Sequence, residues 1–565
     1  MGVTSSTPSA PPGKENDPAI TVQASVTDVA CNMKSTVKAD KVEVSLLRRA
    51  ASIFVEADAG APLPEFLRPV YGDAGRESAL RAAKLLVRAC DSFVEVYGKR
   101  MVKVVRCPAR VNLRGMHIDN NGGFTNTVCV DKEVFLVFAT ETSGNAPLVQ
   151  LYNIDETFSP QAVSIPSKVS EEFVKEQSGW TKYVAGAVCA AEQALAIEDW
   201  PLSISGVVAS SCPAGVGLSS SHAFLLCILN ALTDSAGIAQ NLDKVIELKT
   251  AQLAEHIAGV KSGLTDQGAM IFGGHGMVLN ARFYDLKLQE IPSTVQLCPW
   301  PEHCRIVVAN SRVVRQLVAG SNAIDYALPR LGCAIALPVL HAEAVQHGLM
   351  LDDPMSWGLD GTMTLLKKLP ASATLEELRK TFPQHASHIQ AMVQRFIPGG
   401  QEALGSVAIP LRGSTLFTLA ESARAQEFFT ALQRGDLNLC GNLMDIGHEG
   451  DDPNGNLHIS DEDLDRDAFG ATRCGRGLSH IPGAFQAGHP RLDELCTALR
   501  AAGAEGASLT GAGRGGCVVG LFSSAAQAEA AVDSILEGFA DLEKRDVFVA
   551  TPIQGRGFLD LSVLI

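Results

Sequence analysis

Residues 212–223 read CPAGVGLSSSHA, and this stretch is more informative than any other dozen residues of the chain. It joins a turn of small residues to three consecutive serines, Ser219, Ser220 and Ser221, and a strongly apolar run follows at residues 224–232. The run predicts a buried helix that ends near Gly237. Unpaired N–H groups at the start of such a helix, together with the positive end of its dipole, attract a phosphate. An ordinary serine N-cap with a flexible approach is the simpler interpretation.

Two other phosphate-binding motifs are excluded. The sequence contains no Gly-x-x-x-x-Gly-Lys-Ser/Thr pattern, which excludes a P-loop. A Gly-x-Gly-x-x-Gly pattern does occur at Gly511, Gly513 and Gly516. The residues after it, CVVGLF at 517–522, predict a strand, whereas a dinucleotide fingerprint opens a helix.

The composition favours a metabolic enzyme of the cytoplasm. A chain of 565 residues predicts two large domains with appendages, and 46% hydrophobic with 19% charged residues is typical of a globular core. The net charge of -15, without a basic run, argues against nucleic-acid binding and against a stable association with anionic membranes. The 14 cysteines form no CxxC pair, which fits buried thiols in a reducing compartment. The start MGVTSS matches a myristoylation pattern, but without basic neighbours one acyl chain holds a membrane only marginally.

The pattern along the chain predicts four parts. Residues 1–40 are rich in Ser, Thr, Pro and Ala and predict a disordered tail, and residues 41–100 show helical periodicity and predict a helical extension. Mixed strands and helices follow in an N-terminal domain at 101–290 and a C-terminal domain at 291–565. The Asp- and Gly-rich segment 451–489 predicts a surface insertion in the second domain.

Three further segments carry polar groups between glycines. Residues 107–123, CPARVNLRGMHIDNNGG, suit recognition of a polyhydroxyl ligand, because carboxylate and imidazole groups each fix a hydroxyl direction. Residues 254–267 offer two carboxylates, Glu255 and Asp266, one to hold magnesium and one to orient a substrate hydroxyl. Residues 507–517, ASLTGAGRGGC, allow a backbone to pass close to a ligand or strand. Taken singly, each segment also fits a structural interpretation: a solvated turn, a helix residue with an N-cap, and a tight hairpin.

Together, in this order, the four segments resemble the GHMP kinase superfamily and within it the galactokinase branch. The resemblance covers about residues 93–565 without the insertion, and it includes the stretches that begin at Asn310 and at Pro490. It implies an α+β, two-lobed fold. The N-terminal lobe would be like domain 2 of ribosomal protein S5, the C-terminal lobe would be ferredoxin-like, and the active site would lie between them.

The resemblance also implies roles for single residues. The ATP phosphates would be bound by Pro213, Gly215, Gly217, Ser219, Ser220 and Ser221, with the glycines Gly511, Gly513, Gly515 and Gly516 close to the active site. Magnesium would be held by Ser220 and Glu255. Asp266 would be the catalytic carboxylate, as a base or only as an orienting group, with Arg110 beside it. The sugar would contact His117, Asp119, Tyr326 and the residue at 116.

The implied activity is ATP-dependent phosphorylation of a monosaccharide at its anomeric hydroxyl, with galactose as the expected substrate. Met116 stands where galactokinases usually carry Glu, which leaves galacturonate or another galactose-like sugar as an alternative. His222 replaces a common Ala, and Arg514 replaces an aromatic residue. A non-catalytic sugar and ATP sensor is a second alternative. Against it, the three serines, Glu255 and Asp266 are all present. The sequence leaves the oligomeric state open.

Overall fold

The computed structural model describes residues 41–565, apart from 58–59, 143–146, 167–168, 198–199, 201, 214, 261, 285–289, 314–320, 347–356, 398 and 466–469. The predicted tail at 1–40 and the myristoylation pattern lie outside the described residues. The described residues form an α+β fold with three sheets, of nine, four and two strands, which confirms the predicted fold class.

The N-terminal part begins with the extension, formed by β1 (Val42–Glu43), α1 (Val44–Glu56), α2 (Arg68–Tyr71) and α3 (Arg76–Tyr97). The strands of the N-terminal lobe are β2 (Met101–Arg114), β3 (Thr125–Thr142), β4 (Leu148–Asn153), β5 (Gln161–Ser164), β6 (Leu202–Ser210), β7 (Met277–Tyr284) and β8 (Glu290–Pro299). Its helices are α4 (Glu171–Glu176), α5 (Thr181–Leu195), α6 (Ser220–Ser235), α7 (Lys244–Ile257) and α8 (Thr265–Phe272).

In the C-terminal part the strands are β9 (Arg305–Asn310), β10 (Ser372–Ala373), β11 (Ile409–Pro410), β12 (Gly506–Thr510), β13 (Cys517–Phe522), β14 (Val547–Ala550) and β15 (Gly557–Phe558). The helices are α9 (Ser321–Gln346), α10 (Gly358–Leu366), α11 (Leu375–Thr381), α12 (Ala386–Phe396), α13 (Gly400–Leu404), α14 (Arg412–Gln433), α15 (Leu437–Gly450), α16 (Ala471–Cys474), α17 (Pro490–Ala501) and α18 (Ala525–Gly538).

The large sheet is buried on both faces. Among the described residues it has nine strands, with the order β1-β2-β3-β6-β4-β5 and with β15, β7 and β8 paired at the side. Side chains along β3 alternate between faces, as a strand requires. Leu136 and Phe138 join a cluster with α5, α6 and α7, while Phe135 and Val137 join a cluster with α1 and α3. The extension therefore covers the second face of this sheet.

The C-terminal lobe contains a four-stranded antiparallel sheet with the order β12-β13-β9-β14. Numbered by chain order this is 2-3-1-4, the arrangement of a ferredoxin-like sheet, and α17 and α18 pack on it. The strands are buried Val- and Ala-rich runs, which accounts for a strand rather than a helix after the glycines at 511–516. The second lobe thus has the predicted sheet.

A helical cluster adjoins this sheet, built on α9, α10, α12 and α14. The segment 451–489, predicted as a surface insertion, buries Ile459, Leu464 and Ile481 in this cluster, so part of it belongs to the packing of the lobe.

One described helix segment, residues 324–346 of α9, is long and apolar enough to cross a membrane by length and composition alone. In this fold 61% of its most apolar window is buried against neighbouring helices, as in a core helix, so the finding is weak evidence for a membrane span.

Candidate active site

The loop before α6 leaves the start of that helix open. Gly215 and Gly217 adopt φ values of 75° and 90°, and Ser219 adopts φ 65°, which is uncommon for a residue with a side chain. Ser219 makes no side-chain cap to the helix; its hydroxyl instead donates to Asp266 Oδ2 at 2.5 Å. The simple N-cap interpretation is therefore wrong, and the first N–H groups of α6 carry no side-chain cap.

Arg110 joins this loop to the carboxylate of Asp266. Its guanidinium donates to Asp266 Oδ1 from Nε at 2.6 Å and to the carbonyl of Gly217 at 2.8 Å. The side chain is buried and comes from the middle of β2, a long and rigid strand. The position of this charge is set by the sheet and not by a mobile loop.

The pKa of Asp266 is lowered to about 2. Burial acts in the opposite direction, but the charges of Arg110 and His222 and the Ser219 hydroxyl outweigh it. Asp266 lies in the first turn of α8, where the helix dipole also favours a negative charge. The group is a stable carboxylate at neutral pH and a weak base.

Glu255 lies next to this pair and is fully buried in the last turns of α7. Its Oε2 accepts from the hydroxyl of Ser262 and from Gln267 Nε2 at 2.6 Å. Its Oε1 has no partner within the described part of the chain. One oxygen is therefore held by the protein and the other is left without a donor.

His222 lies between the two carboxylates. Its Nε2 is 3.0 Å from Glu255 Oε2 and 3.4 Å from Asp266 Oδ2, without a well-aligned hydrogen bond to either. Burial disfavours the charged imidazole, but the two carboxylates outweigh that cost and raise the pKa of His222. In the sequence, His222 is only a departure from a common Ala. Its contacts with Glu255 and Asp266, 33 and 44 positions further along the chain, have no signal in the local sequence pattern.

The turn after β2 brings Asp119 to the start of α8. Asp119 Oδ2 accepts from the N–H of Thr265 at 3.2 Å, and a Cβ at Gly263 would lie 1.8 Å from the same oxygen. Glycine at 263 is thus required for this approach. Asp119 and Asp266, both predicted from the sequence, lie at adjoining positions of one site.

Met116 and His117 point away from this cluster. Met116 is buried in an apolar cluster with Ile118 and Phe417. The imidazole of His117 stacks on Phe485 with ring centres 4.5 Å apart, and its Nε2 lies 3.3 Å from Asp451. The His117 side chain is 1% exposed, so in this structure it contacts the interior of the second lobe.

The glycine motif of the second lobe closes against the phosphate loop. Thr510 exchanges two hydrogen bonds with the backbone of Asn112, at 2.8 and 3.2 Å. A Cβ at Gly511, where φ is 79°, would lie 2.8 Å from the carbonyl of Gly217. The two glycine-rich loops therefore approach more closely than side chains allow.

Tyr326 lies beside this motif, with Arg514 at 5.9 Å and Arg330 at 5.4 Å from its ring centre. Arg514 has φ 53°, and burial lowers its pKa. The structure thus brings a cationic side chain to the tyrosine that the sequence predicted as a sugar contact.

The predicted magnesium ligands suit that ion in chemical type. Mg²⁺ uses one or two carboxylates and keeps its other positions for substrate phosphates and water. The buried Glu255 Oε1 without a partner and the partly exposed hydroxyl of Ser220 at the open helix start fit this pattern. In the described ranges no three His, Cys, Asp or Glu side chains gather into a dedicated metal cage.

Family models match three parts of the chain. The GHMP kinases N terminal domain matches residues 182–274, the GHMP kinases C terminal domain matches residues 470–541, and the galactokinase galactose-binding signature matches residues 91–140. The signature covers the turn with Arg110 and Asp119, and the N-terminal match covers the phosphate loop, Glu255 and Asp266.

Curated relatives match most of the chain. A galactokinase of Roseiflexus sp. (strain RS-1) is 26% identical over 76% of this chain and 86% of its own length. The galactokinases of Bos taurus and Homo sapiens are 26% and 25% identical, each over 79% of this chain and 90% of their own. The solved structure of Lactococcus lactis galactokinase complexed with galactose matches the fold with a TM-score of 0.55 at 20% identity, over 83% of this chain and 98% of that one.

Proposed function

We propose that this chain, which belongs to the GHMP kinase superfamily and carries its galactokinase signature, transfers the γ-phosphoryl group of ATP to the anomeric hydroxyl of galactose. One observation carries the proposal. Arg110, Ser219, His222, Glu255 and Asp266 form one connected cluster at the open start of α6, beside the turn that matches the galactose-binding signature. The galactokinases among the relatives support galactose as the acceptor.

The reaction needs an aligned hydroxyl and a stabilised phosphoryl group. A bond forms between the anomeric oxygen and the γ-phosphorus, and the bond from that phosphorus to the β–γ bridging oxygen breaks. ADP leaves, and the proton of the hydroxyl passes to Asp266 or to an oxygen of the transferred phosphoryl group. Little covalent help is required from the protein, so positioning and charge supply most of the rate. The open N–H groups of α6 and the buried guanidinium of Arg110 are suited to the negative charge of the phosphates.

Asp266 is suited to orient the hydroxyl. Both of its oxygens already accept charge-assisted or hydroxyl hydrogen bonds, and its pKa of about 2 makes early proton removal unfavourable. We infer that Asp266 holds the hydroxyl in line and takes up its proton, if at all, only as the new bond to phosphorus forms. The sequence left both roles open, and the pKa favours orientation.

Ser220 and Glu255 would hold Mg²⁺, which when bound neutralises charge on the β- and γ-phosphates. The residues of this chain then have separate tasks. Arg110 and α6 would face the phosphates, Asp119 and Asp266 would face the sugar, and the close approach of Gly511 to Gly217 holds the two loops together.

A uronate such as galacturonate is the second candidate acceptor. Met116 provides no charged acceptor for a 6-hydroxyl, since its side chain is buried with Ile118 and Phe417 and its sulfur accepts from Arg114 Nη2 at 3.7 Å. Arg514, close to Tyr326, offers a cation that a 6-carboxylate would favour. These two positions favour an acidic sugar, whereas the signature and the relatives favour galactose.

A sugar panel tests both candidates. The purified full chain is incubated with labelled ATP and galactose, galacturonate, glucose or mannose, and phosphorus NMR locates the phosphate on the product. We expect an anomeric phosphate on galactose. Turnover of galacturonate without galactose would transfer the assignment to the second candidate, and ATP binding without turnover of any sugar would favour the sensor.

We infer a cytoplasmic location for this activity. The twelve cysteines in the described residues are buried free thiols, as proteins of a reducing compartment carry.

A further inference from the structure

His222 contacts both carboxylates of the cluster, and its position in the fold gives it no structural task of its own. It occupies the first turn of α6, two residues after the helix begins at Ser220, where a side chain normally faces solvent or caps the helix. Here the imidazole is turned inward and is 11% exposed. Its Nδ1 lies 3.4 Å from the Ser221 hydroxyl, and its Nε2 lies between the carboxylates.

The other partners of the two carboxylates do not connect them. Ser262 and Gln267 contact Glu255, while Arg110 and Ser219 contact Asp266. Through His222, the phosphate loop reaches both acids at once. The buried carboxylate of Glu255 and the partly buried carboxylate of Asp266 repel each other, and an N–H dipole or cation between them reduces that repulsion.

The contact also fixes which oxygen of Glu255 remains available. His222, Ser262 and Gln267 all approach Oε2, and Oε1 is left without a partner among the described residues. Removal of a group that orients a metal-binding carboxylate in this way lowers metal affinity or activity about 10–100-fold.

We propose that His222 is a positioning residue that couples the metal-binding carboxylate Glu255 to the substrate-orienting carboxylate Asp266. The inference rests on the proposed sugar-kinase function. It predicts that His222 affects metal binding and the rate of transfer together, while the affinity for the sugar is affected little. Among the described residues proposed to face the sugar, the imidazole contacts Asp266 alone.

The test compares H222A and H222Q with the wild-type chain. The Ala variant removes the contact, and the Gln variant keeps an N–H donor of similar reach. In H222A we expect kcat to fall about 10–100-fold and the affinity for Mn²⁺ in the presence of a non-hydrolysable ATP analogue, followed by EPR, to fall about 10-fold. The KM for the sugar is expected to change less than about threefold, and H222Q is expected to recover most of both losses.

His256→Gln is the matched control, because His256 is a neighbour of Glu255 on α7 whose ring approaches the carbonyl of Ser262 at 3.0 Å. We expect it to leave kcat and Mn²⁺ affinity unchanged. Wild-type kcat and Mn²⁺ affinity in H222A would overturn the proposal, and so would equal losses in H222A, H222Q and H256Q. Should H222A fail to fold, H222L takes its place, since Leu fills a similar volume without an N–H donor. The same losses of kcat and Mn²⁺ affinity are expected, and wild-type values in H222L would overturn the proposal.

The proposed function fails separately. A wild-type chain that phosphorylates no sugar contradicts the kinase assignment, while the Mn²⁺ titration needs no sugar and still reports on the contact between His222 and Glu255.

Discussion

Two buried groups of charged side chains in this molecule differ in how completely their polar atoms are hydrogen bonded. Where the two lobes meet, Arg114 at the end of β2 and Glu421 and Arg424 of α14 are fully buried, and each of their polar groups has a partner within the described residues. Glu421 also accepts from the N–H of Gly115 at 2.7 Å, and Arg424 donates to the carbonyls of Ser479 and Ile481 at 2.8 and 2.6 Å. The second group is the cleft cluster, formed by Arg110, Ser219, His222, Glu255 and Asp266 at the start of α6. In this cluster, Glu255 Oε1 and His222 Nε2 have no aligned partner among the described residues.

We infer that this difference in hydrogen-bond completeness distinguishes charges that stabilise the fold from charges that act on a substrate. Unsatisfied buried polar atoms cost free energy, so a cluster retains them only where something else completes it. The trio of Arg114, Glu421 and Arg424 is complete and holds the turn of the sugar motif to α14. The cleft cluster is incomplete on the side where α6 opens. A substitution that breaks the trio should therefore lower the free energy of unfolding, and one that breaks the cleft cluster should lower turnover.

The largest effect is expected from D266N. An amide cannot orient the hydroxyl through a negative charge, so kcat should fall about 10²–10⁴-fold while ATP affinity stays within about threefold. Steady-state kinetics and equilibrium nucleotide binding measure the two. D243N is the control, because Asn caps α7 as well as Asp does. An active D266N would show that the cleft cluster is structural too.

The next effect is expected from E421Q. Gln keeps the shape of Glu421 but leaves two buried guanidinium groups without their negative partner, so the free energy of unfolding should fall by about 3–5 kcal/mol. Urea unfolding measures this, and kcat of the folded protein should stay within about threefold. A loss of turnover at unchanged stability would place the trio in the active site and remove the distinction.

G511A should have an intermediate effect on the contact between the lobes. Its Cβ would lie 2.8 Å from the Gly217 carbonyl at a φ of 79°, so the loops must separate. We expect kcat/KM to fall about 10-fold, roughly 1.4 kcal/mol in the barrier. G538A, where a Cβ at the end of α18 would meet nothing within 4 Å, is the control and should match the wild type.

The smallest effect concerns pH. The Asp266 pKa is lowered from 3.8 to about 2, so its ionised form contributes stability fully above about pH 4, and that contribution is lost only as the pH falls towards 2. Since His222 touches the same carboxylate, the free energies of unfolding of H222Q and H222Q/D266N are compared from pH 5 to 8. Their difference should stay constant. A change in this difference between pH 5 and 7 would show that Asp266 titrates near neutral pH and would contradict its lowered pKa.

Much of the site could be predicted from the sequence, because its motifs are local. The glycine and serine pattern at 212–223 indicated an open helix start, and Arg110, Asp119 and Asp266 lie in segments whose spacing carried the resemblance. Whether a side chain points outward or inward is not determined by its neighbours in the sequence. His117 and Met116 belong to the sugar motif, yet Phe485 and Phe417 from distant segments pack against them and turn them into the second lobe.

The extension and the segment 451–489 give the same lesson. Their helical and polar patterns predicted elements, but burial of Phe93 against the large sheet and of Ile481 in the helical cluster depends on partners far along the chain.

The fold class and the family could be predicted from the sequence, since periodicity, glycine spacing and acid positions are properties of short segments. Tertiary contacts were needed to show which charges are complete, that Ser219 bonds Asp266 instead of capping α6, and that His222 lies between two acids. The physical reason is that hydrogen-bond completion and desolvation depend on every group within a few ångströms, whatever its distance along the chain.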